Sequence, residues 1–177
     1  MEIRRVSIEN LEPDTPYLRR CLAERKYVHA TDYLRLWYLF KYGGLYLDND
    51  VEVLRPFDEL LSNRLFFGVE RPEFVGTAVM GARPGQGLLK LMIDIIEEGG
   101  TEEAAVENGP VLLTRLMRER GWRGGDADET LDGIALYSTR RFYPFCWNEE
   151  FTPACITAQT FTVHHWCKSW MAPDYPR

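Results

Sequence analysis

Four cysteines are scattered through the chain, at Cys21, Cys146, Cys155 and Cys167, and no two are spaced as Cys-x-x-Cys. That lack argues against a structural zinc site. Without a secretory signal, the thiols read as free and buried. Long apolar runs are missing too. The longest candidate is interrupted by Arg35, so nothing approaches the ~20 residues of a membrane-spanning helix. The start, Met1-Glu2-Ile3-Arg4-Arg5, leads into no apolar stretch and carries no signal-peptide pattern. No block of like charge exists, and the net charge is -6, so nothing points to nucleic acid as a partner. Repeats and low-complexity segments are absent. Together these absences predict a cytoplasmic protein without a transmembrane segment, with peripheral attachment at the inner membrane surface left open.

What is present suits one domain over residues 1–177: 45% of the 177 residues are hydrophobic and 27% charged, enough for an ordinary core. The pattern predicts a strand over 2–8, a turn at Pro13-Asp14-Thr15-Pro16 and a short helix over 17–26. A stronger helix is predicted over 31–42, with Thr31 as N-cap and Tyr33, Leu36, Trp37 and Phe40 at helical spacing. His29 reads as part of that helix start. Gly43-Gly44 ends the helix and turns the chain into the strand Leu45-Tyr46-Leu47. Further strands are predicted over 65–69, 77–80, 134–137, 142–145 and 161–163, and helices over 87–98 and 110–120. This alternation argues for an α/β fold.

The densest chemistry follows the first strong strand. Asp48-Asn49-Asp50 sets two hard oxygen ligands at a strand end, and open α/β sheets bind ligands at the carboxyl ends of their strands. Carboxylates of this kind suit Mg²⁺ or Mn²⁺ shared with substrate phosphates. Asp48 and Asp50 point the same way if the chain stays extended between them, and the apolar flanks Leu45–Leu47 and Val51-Glu52-Val53 favour extension. Upstream, Asp32 and Arg35 lie three apart on one helical face, which by spacing alone describes a surface ion pair. Near the C-terminus, His164 and His165 are adjacent, so in a strand one faces in and the other out.

The run Ala30-Thr31-Asp32-Tyr33-Leu34-Arg35-Leu36-Trp37, then Lys41-Tyr42-Gly43-Gly44 and Leu45-Tyr46-Leu47-Asp48-Asn49-Asp50, resembles the sugar-nucleotide-dependent glycosyltransferases with a DXD motif. The resemblance is nearest to family 32, which holds fungal outer-chain mannosyltransferases and many bacterial capsule and lipopolysaccharide enzymes. The tail Val163-His164-His165-Trp166-Cys167-Lys168-Ser169-Trp170 resembles that family's C-terminal segment. The resemblance implies a GT-A-like α/β fold, a mixed and mostly parallel sheet flanked by helices. It implies a retaining hexosyltransferase in polysaccharide biosynthesis, which uses Mn²⁺ or Mg²⁺ and a nucleoside diphosphate sugar. The partners would be that donor and a glycan or lipid-linked acceptor, with self-association left open.

The resemblance also implies roles. Asp32 and Arg35 would bind donor sugar hydroxyls, Asp50 would coordinate the metal, and Asp48 would reach the ribose and the metal's outer shell. Tyr46 would lie near the nucleotide, and His164, with His165 as fallback, would be the metal-side histidine. Ser169 and the Trp170 indole would contact the β-phosphate or the metal. Asn108-Gly109-Pro110 matches a helix start, with Asn108 as cap. Independently of the resemblance, Trp122, Trp147 and Trp166 are candidates for stacking on sugars, although core packing is the commoner role of such aromatics. Family members open with a βα unit whose strand holds the nucleotide base, whereas Met1–Val6 here matches their second strand. An absent leading unit would leave an unpaired edge near Ile3–Ile8, promoting self-association and weak nucleotide binding. Two alternatives stand: a catalytically impaired binding relative of the same fold, and a phosphatase of the haloacid dehalogenase type with Asp48 as nucleophile.

Overall fold

The structure is a computed structural model that describes residues 6–99 and 109–167. The strand predicted over 2–8 lies largely outside these residues. Where the chain is described, it runs instead into a 3₁₀ turn at Ile8–Asn10. Helix α1 (Pro16–Ala23) begins as its turn chemistry requires. The Thr15 hydroxyl accepts the Leu18 N–H, and Pro16 occupies the first helical position.

Helix α2 (Tyr27–Tyr42) starts four residues before the predicted Thr31 cap. The Thr31 hydroxyl donates to the Tyr27 carbonyl at 2.8 Å, so Thr31 lies in the second turn and caps nothing. His29 sits in the first turn, as expected. The helix ends at Gly43, whose φ of 68° is open to glycine and whose Cβ, were there one, would lie 2.7 Å from the Ala82 carbonyl oxygen.

Strand β1 (Gly44–Leu47) follows directly, and β2 (Val51–Val53) comes after the acid pair. The chain then runs through β3 (Leu65–Arg71), β4 (Phe74–Ala82), α3 (Gly87–Gly99), α4 (Gly109–Glu119), β5 (Glu129–Leu131), β6 (Ile134–Tyr137), α5 (Thr139–Phe142) and β7 (Thr162–His164). The strand predicted over 142–145 is instead the end of α5 and the loop after it. Ser138 and Thr139 there answer to Asp126 and Asp128 rather than to a ladder.

The main sheet has the order β1-β4-β3-β6-β5 and is mixed, flanked by helices, as the α/β reading requires. Its balance corrects the mostly parallel expectation. β3 and β6 are parallel, while β1–β4, β3–β4 and β5–β6 are antiparallel. The reason is loop length: two residues join β3 to β4 and two join β5 to β6, and such connections make hairpins. β2 and β7 form a separate two-stranded antiparallel sheet.

β3 is buried on both faces, and its side chains alternate between two cores. Leu65, Phe67 and Val69 pack with Leu18, Tyr33, Leu36, Leu89, Met92 and Leu113 from α1 to α4. Phe66 packs on the opposite face with Phe57, Phe142, Tyr143 and Phe161. Trp122 belongs to the first core, its indole N–H donating to Glu129. Among the described residues, no helix is long and apolar enough to cross a membrane.

Candidate active site

Asp48, Asn49 and Asp50 are not extended. They form a turn closed by the Val51 N–H on the Asp48 carbonyl at 3.1 Å, and the turn carries the chain from the main sheet to the small one. The two carboxylates are brought together by this turn and not by a strand's two-residue period.

The pairing of β2 with β7 then adds the histidine. Val51 faces His164 in the register, the His165 N–H donates to the Asp50 carbonyl, and the Cys167 N–H donates to the Asp50 carboxylate at 2.9 Å. The His164 ring donates from Nε2 to Asp50 Oδ1 at 3.0 Å. Ligand atoms of Asp48, Asp50 and His164 thus lie within 4.8 Å of one another. His165 points the other way, exposed, and pairs with Glu52. Trp166 adopts a left-handed backbone at φ 51°, and its ring lies 3.9 Å from that of His164. Such strain in a non-glycine residue costs roughly 1–3 kcal/mol and is held only where the surroundings fix it. Here the indole N–H donates to the Phe145 carbonyl, and the turned backbone aims the Cys167 N–H at Asp50.

Asp32 and Arg35 are not on the surface. They are 8% and 9% exposed and make a buried pair at 3.0 Å. Asp32 also accepts the Gly109 N–H at 3.0 Å, so it holds the start of α4; Asn108 lies outside the described residues. Arg35 donates to the Thr77 carbonyl and reaches Asp48 Oδ1 at 3.2 Å. Its guanidinium lies 4.5 Å over the Tyr46 ring. The Tyr46 hydroxyl donates to the same Asp48 oxygen at 2.7 Å. Tyr46, expected beside a nucleotide, is in this arrangement a strut under Asp48 and Arg35.

Electrostatics follow from these contacts. Burial works against the Arg35 charge, but Asp32, Tyr46 and Asp48 raise its pKa above the ordinary arginine value. Burial pushes the Asp50 carboxyl up, yet the Cys167 N–H and His164 bring it below the usual carboxylate range. Burial lowers the His164 pKa and outweighs the pull of Asp50 and Asp48, so the ring is neutral near pH 7. A neutral imidazole is the metal-binding form.

An irregularity in β4 builds much of the site and was not legible in the sequence. Phe67 pairs with Met80, yet the next residue, Gly68, pairs with Gly76. The three residues gained in β4 spend their backbone groups on the site. The Thr77 carbonyl takes Arg35, the Ala78 carbonyl takes the Asp48 N–H, and the Val79 N–H donates to the Tyr143 hydroxyl. Gly68 and Gly76 form the slot for Tyr143; a Cβ on either would come within 2.7 Å of its ring or hydroxyl. The Tyr143 ring in turn lies 6.0 Å from both His164 and Trp166. The one sequence signal was a glycine inside a strand pattern, which marks a bulge or a close approach. Of the tryptophans, Trp122 is core, Trp166 backs His164, and Trp147 is 42% exposed. Ser169 and Trp170 lie outside the described residues.

The donor set fits a hard divalent cation. Two carboxylates and a neutral imidazole supply O, O and N ligands. His164 Nδ1 is buried without a hydrogen-bond partner among the described residues, and Asp48 has one oxygen still free of Tyr46 and Arg35.

Residues 3–67 match the model of the glycosyltransferase sugar-binding region containing a DXD motif. The match covers less than half of the 177-residue chain. Over 178 residues, 93% of this chain, the protein is 26% identical to the alpha-1,4-N-acetylglucosaminyltransferase of Homo sapiens and covers 51% of that protein. It is 25% identical to the lactosylceramide 4-alpha-galactosyltransferases of Mus musculus and Rattus norvegicus, over 94% and 95% of this chain and 50% of each of theirs. The chain therefore spans about half the length of the curated relatives it matches. No solved structure gives a significant match. The protein is homologous to glycosyltransferases, and its mixed sheet flanked by helices is consistent with a GT-A-like fold.

Proposed function

We propose that this chain is the core of a metal-dependent, retaining glycosyltransferase. It would move a hexose from a nucleoside diphosphate sugar to a hydroxyl of a glycan or lipid-linked acceptor in polysaccharide or glycolipid synthesis. The observation that carries this reading is the convergence of the DXD pair Asp48 and Asp50 with His164, which lies 114 residues beyond Asp50 in sequence. The names of the relatives support an acceptor of the glycan or glycolipid class, since one acts on lactosylceramide.

In this reading Asp48, Asp50 and His164 hold Mn²⁺ or Mg²⁺. Bound there, such a cation screens the donor diphosphate and takes up the charge that grows on it as it leaves. Asp32 and Arg35 orient the hexose. Each carboxylate oxygen has two lone pairs, so Asp32 can hold Arg35 and the Gly109 N–H and still accept a sugar hydroxyl. Arg35 is fixed on three sides by Thr77, Asp32 and Asp48, which gives the site its preorganised shape. Tyr46 keeps one Asp48 oxygen occupied and so aims the other. Ser169 and Trp170 are assigned to the β-phosphate on the sequence alone. The acceptor oxygen bonds to the anomeric carbon as the bond from that carbon to the diphosphate oxygen breaks, and the hydroxyl proton passes to the leaving diphosphate.

Calorimetry with UDP- and GDP-sugars, with and without Mn²⁺, tests the reading. Donor binding should need Mn²⁺ and vanish on chelation. Failure to bind any nucleotide sugar, together with turnover of p-nitrophenyl phosphate, would overturn it in favour of a phosphatase.

A further inference from the structure

β3 carries one residue more than β4 near their shared turn. Val69 faces Val75 and Arg71 faces Phe74, which leaves Glu70 without a partner in the ladder. A bulge of this kind re-aims a side chain and is favoured next to active sites. Glu70 is aimed towards Tyr143. A Cβ placed on Gly76 would meet the Glu70 Cβ at 3.2 Å and the Tyr143 hydroxyl at 2.7 Å. Tyr143 is the residue that backs His164 and Trp166, so Glu70 stands on the face of the sheet that carries the site.

Glu70 is half-buried, and no hydrogen bond or ion pair holds its carboxylate among the described residues. The adjacent cation, Arg71, pairs with Glu73 and lies over Phe74. Burial pushes the Glu70 carboxyl above the usual range; Arg71 opposes this, and Asp48 and Glu73 add to it. The acids of the site proper differ, because Asp32, Asp48 and Asp50 each hold at least two donors. The groups that converge for a cation do not include Glu70. A partly desolvated carboxylate without a partner is costly, and a neutral hydroxyl supplies the missing donor through a charge-assisted hydrogen bond.

Resting on the glycosyltransferase reading, we infer that Glu70 is a further carboxylate of the site, which accepts a hydrogen bond from a hydroxyl of the bound sugar, donor or acceptor. It touches substrate and not the cation.

Glu70→Gln and Glu70→Asp test this beside the wild type, in the full chain. Four quantities are measured: Mn²⁺ affinity by calorimetry, thermal midpoint, hydrolysis of the nucleotide sugar, and transfer to lactose. Glu70→Gln should leave Mn²⁺ affinity within twofold and raise the midpoint at pH 7, because an unpartnered charge is removed. It should lower transfer kcat/KM by roughly 10- to 100-fold, the range for hydrogen bonds to charged groups. Glu70→Asp should recover part of that loss. If the hydroxyl belongs to the donor, hydrolysis falls with transfer. If it belongs to the acceptor, hydrolysis is kept and KM for lactose rises. A tenfold loss of Mn²⁺ affinity would overturn the inference, as would unchanged kinetics in both variants or a lowered midpoint. A wild type that binds no nucleotide sugar would refute the glycosyltransferase reading and this inference with it, whereas an active wild type matched by Glu70→Gln would refute Glu70 alone.

Discussion

Two clusters of acids flank the same sheet, and they are built on opposite terms. In one, Asp126 and Asp128 reach from a loop to α5. Asp126 takes the N–H and hydroxyl of Thr139, while Asp128 takes those of Ser138 and a two-pronged contact from Arg141. Every group there has an internal partner. In the other, among the described residues, Asp48 keeps a free oxygen, His164 Nδ1 is buried without a partner, and Glu70 is half-buried without a donor. Folding alone favours the first arrangement, because unsatisfied polar groups destabilise. The second carries cost and strain, at Trp166 included, and that combination marks a place prepared for something outside the chain. Acid content distinguishes nothing here; satisfaction does.

The comparison breaks hardest at Asp50. Asp50→Asn keeps the size and the Cys167 N–H contact but removes the charge. Metal-dependent donor binding should fall by ~100-fold or more, about 2.7 kcal/mol, as read by calorimetry, with the circular dichroism spectrum unchanged. Retained Mn²⁺ affinity would place the cation elsewhere.

Arg35→Lys comes next and touches both terms at once. An ammonium cannot serve Thr77, Asp32 and Asp48 from one plane. Donor binding should weaken about tenfold, and stability should drop by roughly 2–4 kcal/mol, since Asp32 loses its buried partner. If the nucleoside diphosphate without its sugar loses as much affinity as the full donor, the residue serves the scaffold and not the hexose.

Asp128→Asn probes the satisfied cluster. It should lower stability by about 1–2 kcal/mol and leave kcat/KM within twofold. The pH dependence sharpens the contrast. Burial pushes the Asp128 carboxyl up, but Arg141 and Ser138 bring it below the ordinary value. Its contribution is therefore present above the unfolded carboxylate pKa and is lost as pH falls through the lower folded value. Glu70 has the opposite sign. Its raised pKa makes it favourable below the unfolded value, ordinarily 4.5, and that contribution is lost as pH rises through the folded one. Urea titrations across pH 3–8 on Asp128→Asn and Glu70→Gln should thus remove slopes of opposite sign; equal slopes would erase the distinction.

The smallest effect belongs to a residue remote from both. Thr15→Ala should cost about 1 kcal/mol through the lost cap of α1 and leave donor binding untouched.

The sequence by itself determined the elements whose patterns are local. The periodicity of α3 and α4, the Gly43–Gly44 break into β1, the acid pair and the alternation of His164 and His165 all depend on neighbours within a few residues, where sterics and capping act. It determined the kinship to DXD glycosyltransferases for the same reason, since that signal is a short run. Only the tertiary structure decided the rest. Asp32 and Arg35 at helical spacing look like a surface pair until Thr77, Asp48 and Gly109 close over them. Asp48 and Asp50 meet through a turn because β1 and β2 join different sheets, and no residue in the motif announces that. Tyr143, the slot made by Gly68 and Gly76, and the bulge at Glu70 arise from register between strands. Register is settled by contacts among distant residues and leaves no periodic mark in the chain.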